Sequence, residues 1–227
     1  MRLDKLISSS TAFTRSQAKI VIRKGKVTVD GEVIKNTAQQ VNDDSNVEYM
    51  GVSVKKPQPR YIMFNKPAGV VCANQDQEHA TIFDSLFVPN AEKLHVAGRL
   101  DIDTTGLVLL TDDGQWLHRI TSPKHQHKKI YLVDLYSEIT DKQISTLEKG
   151  VQLKDEKNRC QPAVVEKLGT KKIRLSITEG KYHQVKRMMA AVGNHVVTLH
   201  REQIAHIKLD ESLKEGQWRE LLEEELV

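Results

Sequence analysis

The chain has 227 residues, 39% of them hydrophobic and only 5% aromatic, which allows one medium domain plus a small one or two modest domains. No run approaches the ~18 apolar residues of a membrane span, the N-terminal MRLDKLISSST lacks the apolar stretch of a secretory leader, and Cys72 and Cys160 match no zinc spacing, so a reduced cytoplasmic protein without membrane attachment is expected. Net charge is +4, but residues 1–60 hold 11 Lys/Arg against 6 Asp/Glu and the remainder 23 against 24, as if a small polyanion-binding module preceded a nearly neutral body.

RLDKLIS predicts a short helix with Leu3, Leu6 and Ile7 on one face. A second helix is expected from an N-cap at Thr14, with Ala18, Val21 and Ile22 inward and Arg15, Lys19 and Arg23 along another face, stopping at Gly25. KVTVDGEVI reads as a hairpin around Asp30-Gly31. The basic row and Lys26 have spacing suited to successive phosphates. RLDKLI and TRSQAKIVIRKGKVTVDG together resemble the S4 RNA-binding domain, which implies a grip on structured RNA but no chemistry. VSVKKPQPR reads as a linker, giving an S4-like domain over 1–57 and a second domain over 58–227.

The second domain opens with a strand at Tyr61–Phe64, a turn at 66–69 and a second short strand up to Cys72. A short helix in HATIFDSL, an apolar strand GLVLLT, and a helix in DDGQWLHRIT capped by Asp112 or Asp113 follow. KKIYLVDLY alternates as a strand with Tyr131, Val133 and Leu135 on one face; ITDKQISTLEKG is an amphipathic helix ending at Gly150. Strands at AVVEKL and KIRLSIT precede a helix in KYHQVKRMMAAVG, with Val185, Met188, Met189 and Val192 inward, and a strand HVVTLHREQI. Strands outnumber helices without strict alternation, so the expected class is α+β with a mainly antiparallel sheet.

The chemistry is concentrated in HVAGRLDIDTTGLVLLT, where Asp101 and Asp103 stand two positions apart before the apolar strand. A glycosidase pair of carboxyls facing each other across a sugar is not guaranteed by this spacing, and the Asp-Thr-Gly of an aspartic protease is interrupted by a second threonine. His125 and His127 sit among lysines, which disfavour a metal ion. There is no phosphate-binding loop, no dinucleotide fingerprint and no nucleophile elbow. What remains is a single reactive carboxylate beside basic residues, able to serve as nucleophile or electrostatic partner at a glycosidic centre. It must be ionised and rigid; Arg99 supplies a neighbouring cation, while Thr104, Thr105 and Gly106 supply hydroxyls and a flexible residue on which the loop could fold back.

GRLDIDTTGLVLLT resembles the catalytic segment of pseudouridine synthases, in the group that includes RsuA- and RluA-type enzymes. NKPAGV, KKIYLV and ITEGKYHQVKRM match three further family segments in order, so the likeness runs end to end. It is most similar to the RsuA branch, which acts on small-subunit ribosomal RNA. The resemblance implies an isomerase with Asp101 as nucleophile, Tyr131 against the target uracil, and Lys186 paired with Asp101 to keep it ionised. Many relatives have arginine at the Lys186 position; relatives acting on the large subunit commonly carry Asn-Arg where this chain has Tyr182-His183. Asp103 would hold the loop. Arg99 would bind RNA or form a salt bridge within the loop, and Lys128 and Lys129 would meet phosphates or solvent. Arg15, Lys19, Arg23, Lys26 and Arg187 complete the expected RNA contacts. No cofactor or metal is called for. The expected partner is 16S ribosomal RNA or a small-subunit assembly particle, met by a monomer. The competing readings are a large-subunit pseudouridine synthase and a non-catalytic RNA-binding assembly factor.

Overall fold

The computed structural model describes residues 1–88 and 91–226 and divides into two compact units, Met1–Gln58 and Pro59–Val227. In the first unit, helix α1 (Leu3–Ser10) and helix α2 (Arg15–Arg23) pack on a four-stranded antiparallel sheet. Its strands are β1 (Val27–Val29), β2 (Glu32–Val33), β3 (Val47–Tyr49) and β4 (Val52–Ser53), in the order β2-β1-β3-β4. Leu3, Leu6, Ile7, Ala18, Ile22, Val27, Val41 and Val47 form the core, with Val21 only partly buried. Thr14 caps α2 through a reciprocal pair with Gln17. Asp30 and Gly31 both take positive φ, as the two-residue hairpin requires. The expected linker begins instead as β4, because Met50 and Gly51 make a second such turn that carries no Asn or Asp signal.

The second unit is built on a nine-stranded sheet. Its elements run β5 (Tyr61–Lys66), α3 (Ile82–Ser85), β6 (His95–Ala97), β7 (Thr105–Thr111), α4 (Gly114–Thr121), β8 (Lys129–Leu135), α5 (Asp141–Glu148), β9 (Val164–Lys167), β10 (Lys172–Ile177), α6 (Gln184–Ala191), β11 (Val196–Ile204), β12 (Ile207–Lys208) and β13 (Trp218–Glu220). The main path is β13-β5-β7-β11-β8-β10-β9, with β6 added to β7 and β12 to β11. Every pairing is antiparallel except β7 with β11, where Thr105 and Gly106 lie beside His200 and Arg201.

The central strands are buried on both faces. Ile62, Phe64, Val108 and Leu110 face a core covered by residues of α3, α5 and α6, while Met63, Leu107 and Leu109 face a smaller core holding Trp116 and Ile120 of α4. GLVLLT therefore reads as a continuous apolar run rather than an alternation. On β8, only Tyr131, Val133 and Leu135 are buried, in the expected alternation.

Some expectations shift. The segment ending at Cys72 is not a strand: Val71 makes only an isolated bridge to Thr81. Helix α6 starts at Gln184, not Lys181, because His183 takes a left-handed conformation that a right-handed helix excludes. Three strands with little sequence signal, β6, β12 and β13, complete the sheet by pairing with strands already formed.

Candidate active site

Gly98–Thr104 forms a loop across the point where β5 and β11 meet the start of β7. The strands close because residue 106 is glycine. At φ +102° a Cβ there would lie 2.4 Å from the Arg201 carbonyl oxygen. Leu100 is buried in the larger core, and its amide donates to Cys72 Sγ at 3.4 Å, so the flanking Arg99 and Asp101 are forced outward. The amide of Thr104 donates to the Asp101 carbonyl at 3.1 Å, closing a tight turn around the Asp101–Thr104 segment.

Two buried cations support the loop from beneath. Lys66 at the end of β5 is fully buried, and its ammonium donates to the carbonyls of Thr104 (2.8 Å), Pro67 (2.9 Å) and Ile102 (3.2 Å). Burial pushes its pKa down, partly opposed by the neighbouring Cys72, Asp103 and Asp101. Arg201 of β11, 2% exposed, donates to the carbonyls of Leu107, Gly98 and Arg99. Among the described residues neither cation forms an ion pair with a carboxylate, so both leave positive potential under Asp101.

The expected role of the loop's hydroxyls is corrected here. Thr104 Oγ1 is buried without a partner among the described residues, and Thr105 Oγ1 instead bonds His200 Nδ1 at 2.8 Å. Rigidity comes from backbone carbonyls held by Lys66 and Arg201. Lys66 stood in the NKPAGV motif and Arg201 in HVVTLHREQI, but nothing in either segment signals a buried cation reaching a distant loop.

Asp101 lies in a cleft of about 410 Å³ whose lining includes Arg99, Thr104, Lys129, Tyr131, His183 and Arg201. Its carboxylate is 26% exposed, with Lys186 Nζ at 3.2 Å and His183 Nε2 at 3.5 Å. Lys186 also reaches Asp103 Oδ1 at 2.5 Å, so it is shared rather than dedicated to Asp101. Burial lowers the pKa of Lys186, but Asp103 and Asp101 outweigh it and the net shift is upward. Burial raises that of Asp103, and Lys186 more than reverses it. Both groups are thus charged at neutral pH. Tyr131 is 7% exposed, its ring part of the core and of the cleft wall at once.

The other expected contacts divide. Arg99 is exposed at the cleft and, among the described residues, forms no ion pair in the loop, while Lys129 is half-buried in the cleft wall, its pKa lowered by burial and by the charge of Arg201. Lys128 is exposed beside it. The Arg187 guanidinium, partly exposed, donates to Glu156 Oε1 and to the carbonyls of Lys154 and Tyr182. In the N-terminal unit, Arg23 and Lys26 are exposed and Lys19 is partly covered. Arg15 is drawn to the buried Asp4 at 3.3 Å, where Arg2 also binds at 2.9 Å. Among the described residues no three His, Cys, Asp or Glu side chains converge as a metal site would need, and His127 Nε2 instead meets the Arg119 carbonyl.

Comparison with known proteins finds both parts of the chain in known families. The family profile described as RNA pseudouridylate synthase matches residues 60–191, and the S4 domain profile matches residues 1–47. The chain is 52% identical over 227 residues to a ribosomal small subunit pseudouridine synthase A of Escherichia coli (strain K12), spanning 100% of this chain and 98% of that one. It is 47% identical over 227 residues to the protein of the same name in Haemophilus influenzae, with the same shares covered. A crystal structure of a pseudouridylate synthase, 46% identical, superposes with a TM-score of 0.72 over 100% of this chain and 98% of that chain.

Proposed function

Since the chain belongs to the RNA pseudouridylate synthase family and is thus an RNA isomerase with an S4 domain, we propose that it converts a uridine of small-subunit (16S) ribosomal RNA to pseudouridine, with Asp101 as the attacking group. The observation that carries the assignment of roles is the position of Asp101. Two carboxylates line the cleft with Tyr131: Glu179 is taken up by the Gln161 amide and Gln184 Nε2, whereas Asp101 lies 3.2 Å from Lys186.

The reaction breaks the bond between N1 of uracil and C1′ of ribose and forms one between C5 and C1′. One proton leaves C5 and one is gained at N1, so the change is redox-neutral and needs no electron acceptor. The uridine must first leave its stack, because the glycosidic bond is covered in folded RNA. Tyr131 then offers the flipped base an aromatic wall, and its hydroxyl is the candidate to take up the C5 proton. Asp101 attacks at C1′ or at C6 of the base, with Lys186 3.2 Å from its carboxylate. Arg99 and Lys129, which line the cleft, would meet the phosphates on either side of the extruded nucleotide. Such an enzyme works in the cytoplasm, where ribosomes are assembled.

Pseudouridine mapping tests both parts. Wild-type protein incubated with small-subunit ribosomal RNA, naked or in a partly assembled particle, is expected to modify one uridine. Asp101→Asn is expected to modify none while binding RNA within about threefold of wild type. Turnover by Asp101→Asn above about one-hundredth of wild type would overturn the role of Asp101, since loss of a covalent nucleophile costs far more. Product found only in large-subunit RNA would overturn the substrate.

A further inference from the structure

The geometry points to Tyr182 as a stacking surface for the nucleobase next to the target uridine, an interaction beyond the cleft that rests on the RNA substrate proposed above. Tyr182 is 73% exposed, unusual for so large an aromatic, yet it is not loose. Its ring lies on that of His183, centroids 3.8 Å apart and planes 19° from parallel. His183 in turn lies 3.5 Å from Asp101. One face of the tyrosine is thus spent on the imidazole, and the other is turned to solvent.

The turn that presents the ring is tied at several points. The Tyr182 carbonyl accepts from Arg187, whose guanidinium also grips Glu156 and the Lys154 carbonyl. The Lys181 amide donates to Gln184 Oε1, and Gln184 Nε2 donates to Glu179. His183 is held at φ 45°, a conformation uncommon for a residue with a side chain and kept here by the surrounding bonds. These bonds fix a flat apolar face at the side of the cleft at the expense of exposing it to water.

Extruding a uridine leaves the neighbouring base with a bare π-face. A fixed aromatic ring, separated from Asp101 only by the His183 imidazole, supplies the missing stacking partner, so that base, Tyr182 and His183 form one column beside the carboxylate. Stacking of this kind tolerates any base, so Tyr182 adds affinity and positions the flank without reading its sequence.

The test uses the full chain. Tyr182→Ala is expected to raise KM for a small-subunit ribosomal RNA transcript by about five- to a hundredfold, with turnover at saturating RNA within about threefold of wild type. Tyr182→Phe, which keeps the π-face, should retain the wild-type KM, and Tyr182→Leu should behave like the alanine variant. In an Asp101→Asn background, 2-aminopurine placed in turn on each side of the mapped uridine should be quenched on binding at one flank, and the quench should vanish with Tyr182→Ala. An active wild type with an indistinguishable Tyr182→Ala, or a quench that survives that substitution, overturns the stacking role. A wild type that makes no pseudouridine in the transcript would instead sink the functional reading on which it rests.

Discussion

The ammonium of Lys66 and the carbonyl of Thr104, 38 residues apart in sequence, are joined by a 2.8 Å hydrogen bond wholly inside the protein. Together with the bonds from Lys66 to Pro67 and Ile102, it makes the end of β5 the floor of the loop that carries Asp101. Lys66→Met should leave the Pro67 and Thr104 carbonyls without their donor, while the Ile102 carbonyl keeps the Gly69 amide. We expect a stability loss of about 2–3 kcal/mol, discounted from the full cost of unmet carbonyls because a buried charge is also removed. Turnover should fall at least about tenfold through loss of Asp101 placement, with RNA affinity little changed. Urea unfolding and single-turnover kinetics check both. Wild-type stability in this variant would show that the loop is held by other means.

Lys186 serves two carboxylates, and removing each partner separates its roles. Lys186→Met should lose most activity at neutral pH, while Lys186→Arg should keep part of it. Asp103→Asn should be milder than Asp101→Asn, because Lys186 remains beside Asp101. The pKa of Asp103 is depressed in the folded state, so its attraction for Lys186 is present above the ordinary carboxylate range and is lost only as pH falls below it. The acid limb of the wild-type pH–rate profile should therefore change shape in Asp103→Asn. An inactive Asp103→Asn beside an active Asp101→Asn would reverse the assignment of the two carboxylates.

In the N-terminal unit, the buried Asp4 is held at a pKa of about 2, first by its hydrogen bond from Arg2, against the upward push of burial, and with help from Arg15. A depressed folded-state value means that the stabilisation is complete above the unfolded value near 3.8 and is lost as pH falls through about 2. Methyl NMR signals of Leu3, Ile7 and Ile22 in the full chain should report loosening of this unit across that window. Asp4→Asn should already be loosened at neutral pH, by about 1.5–3 kcal/mol, and should show a flatter acid dependence. Identical acid profiles for the two proteins would remove Asp4 from the account.

The second unit has its own two apolar cores, so a chain beginning at Pro59 should fold alone. It keeps Asp101, Tyr131 and Lys186 but gives up Lys19, Arg23 and Lys26, together with Arg15, whose charge is already partly engaged by Asp4. RNA affinity should drop, and the slope of log affinity against log salt should flatten by about 0.7–0.9 for each phosphate that the shorter chain no longer neutralises. Turnover at saturating RNA should suffer less than affinity. Binding measured at several salt concentrations is the check; an unchanged slope would mean that the basic face of the first unit does not touch RNA.

What the sequence by itself determined was whatever depends on neighbours a few residues apart. The α2 cap at Thr14, the Asp30-Gly31 hairpin, the doubly buried run of β7 and the alternation of β8 are local patterns of shape and polarity, and the motif around Asp101 singled out the candidate carboxylate by residue type and order. What only the tertiary structure decided was how that carboxylate is supported. Hydroxyls adjacent in sequence suggested a self-braced loop, but the bracing comes from Lys66 and Arg201, on strands that reach the loop only when β5, β7 and β11 assemble. Arg187 was legible as a cation but not as one tied to Glu156 and Lys154, which lie about thirty residues away. Likewise the sharing of Lys186 between Asp101 and Asp103 is a matter of distances across more than 80 residues of chain. Hydrogen bonds and ion pairs fall away within a few ångströms, so residue order alone carries no record of which distant groups folding brings within reach.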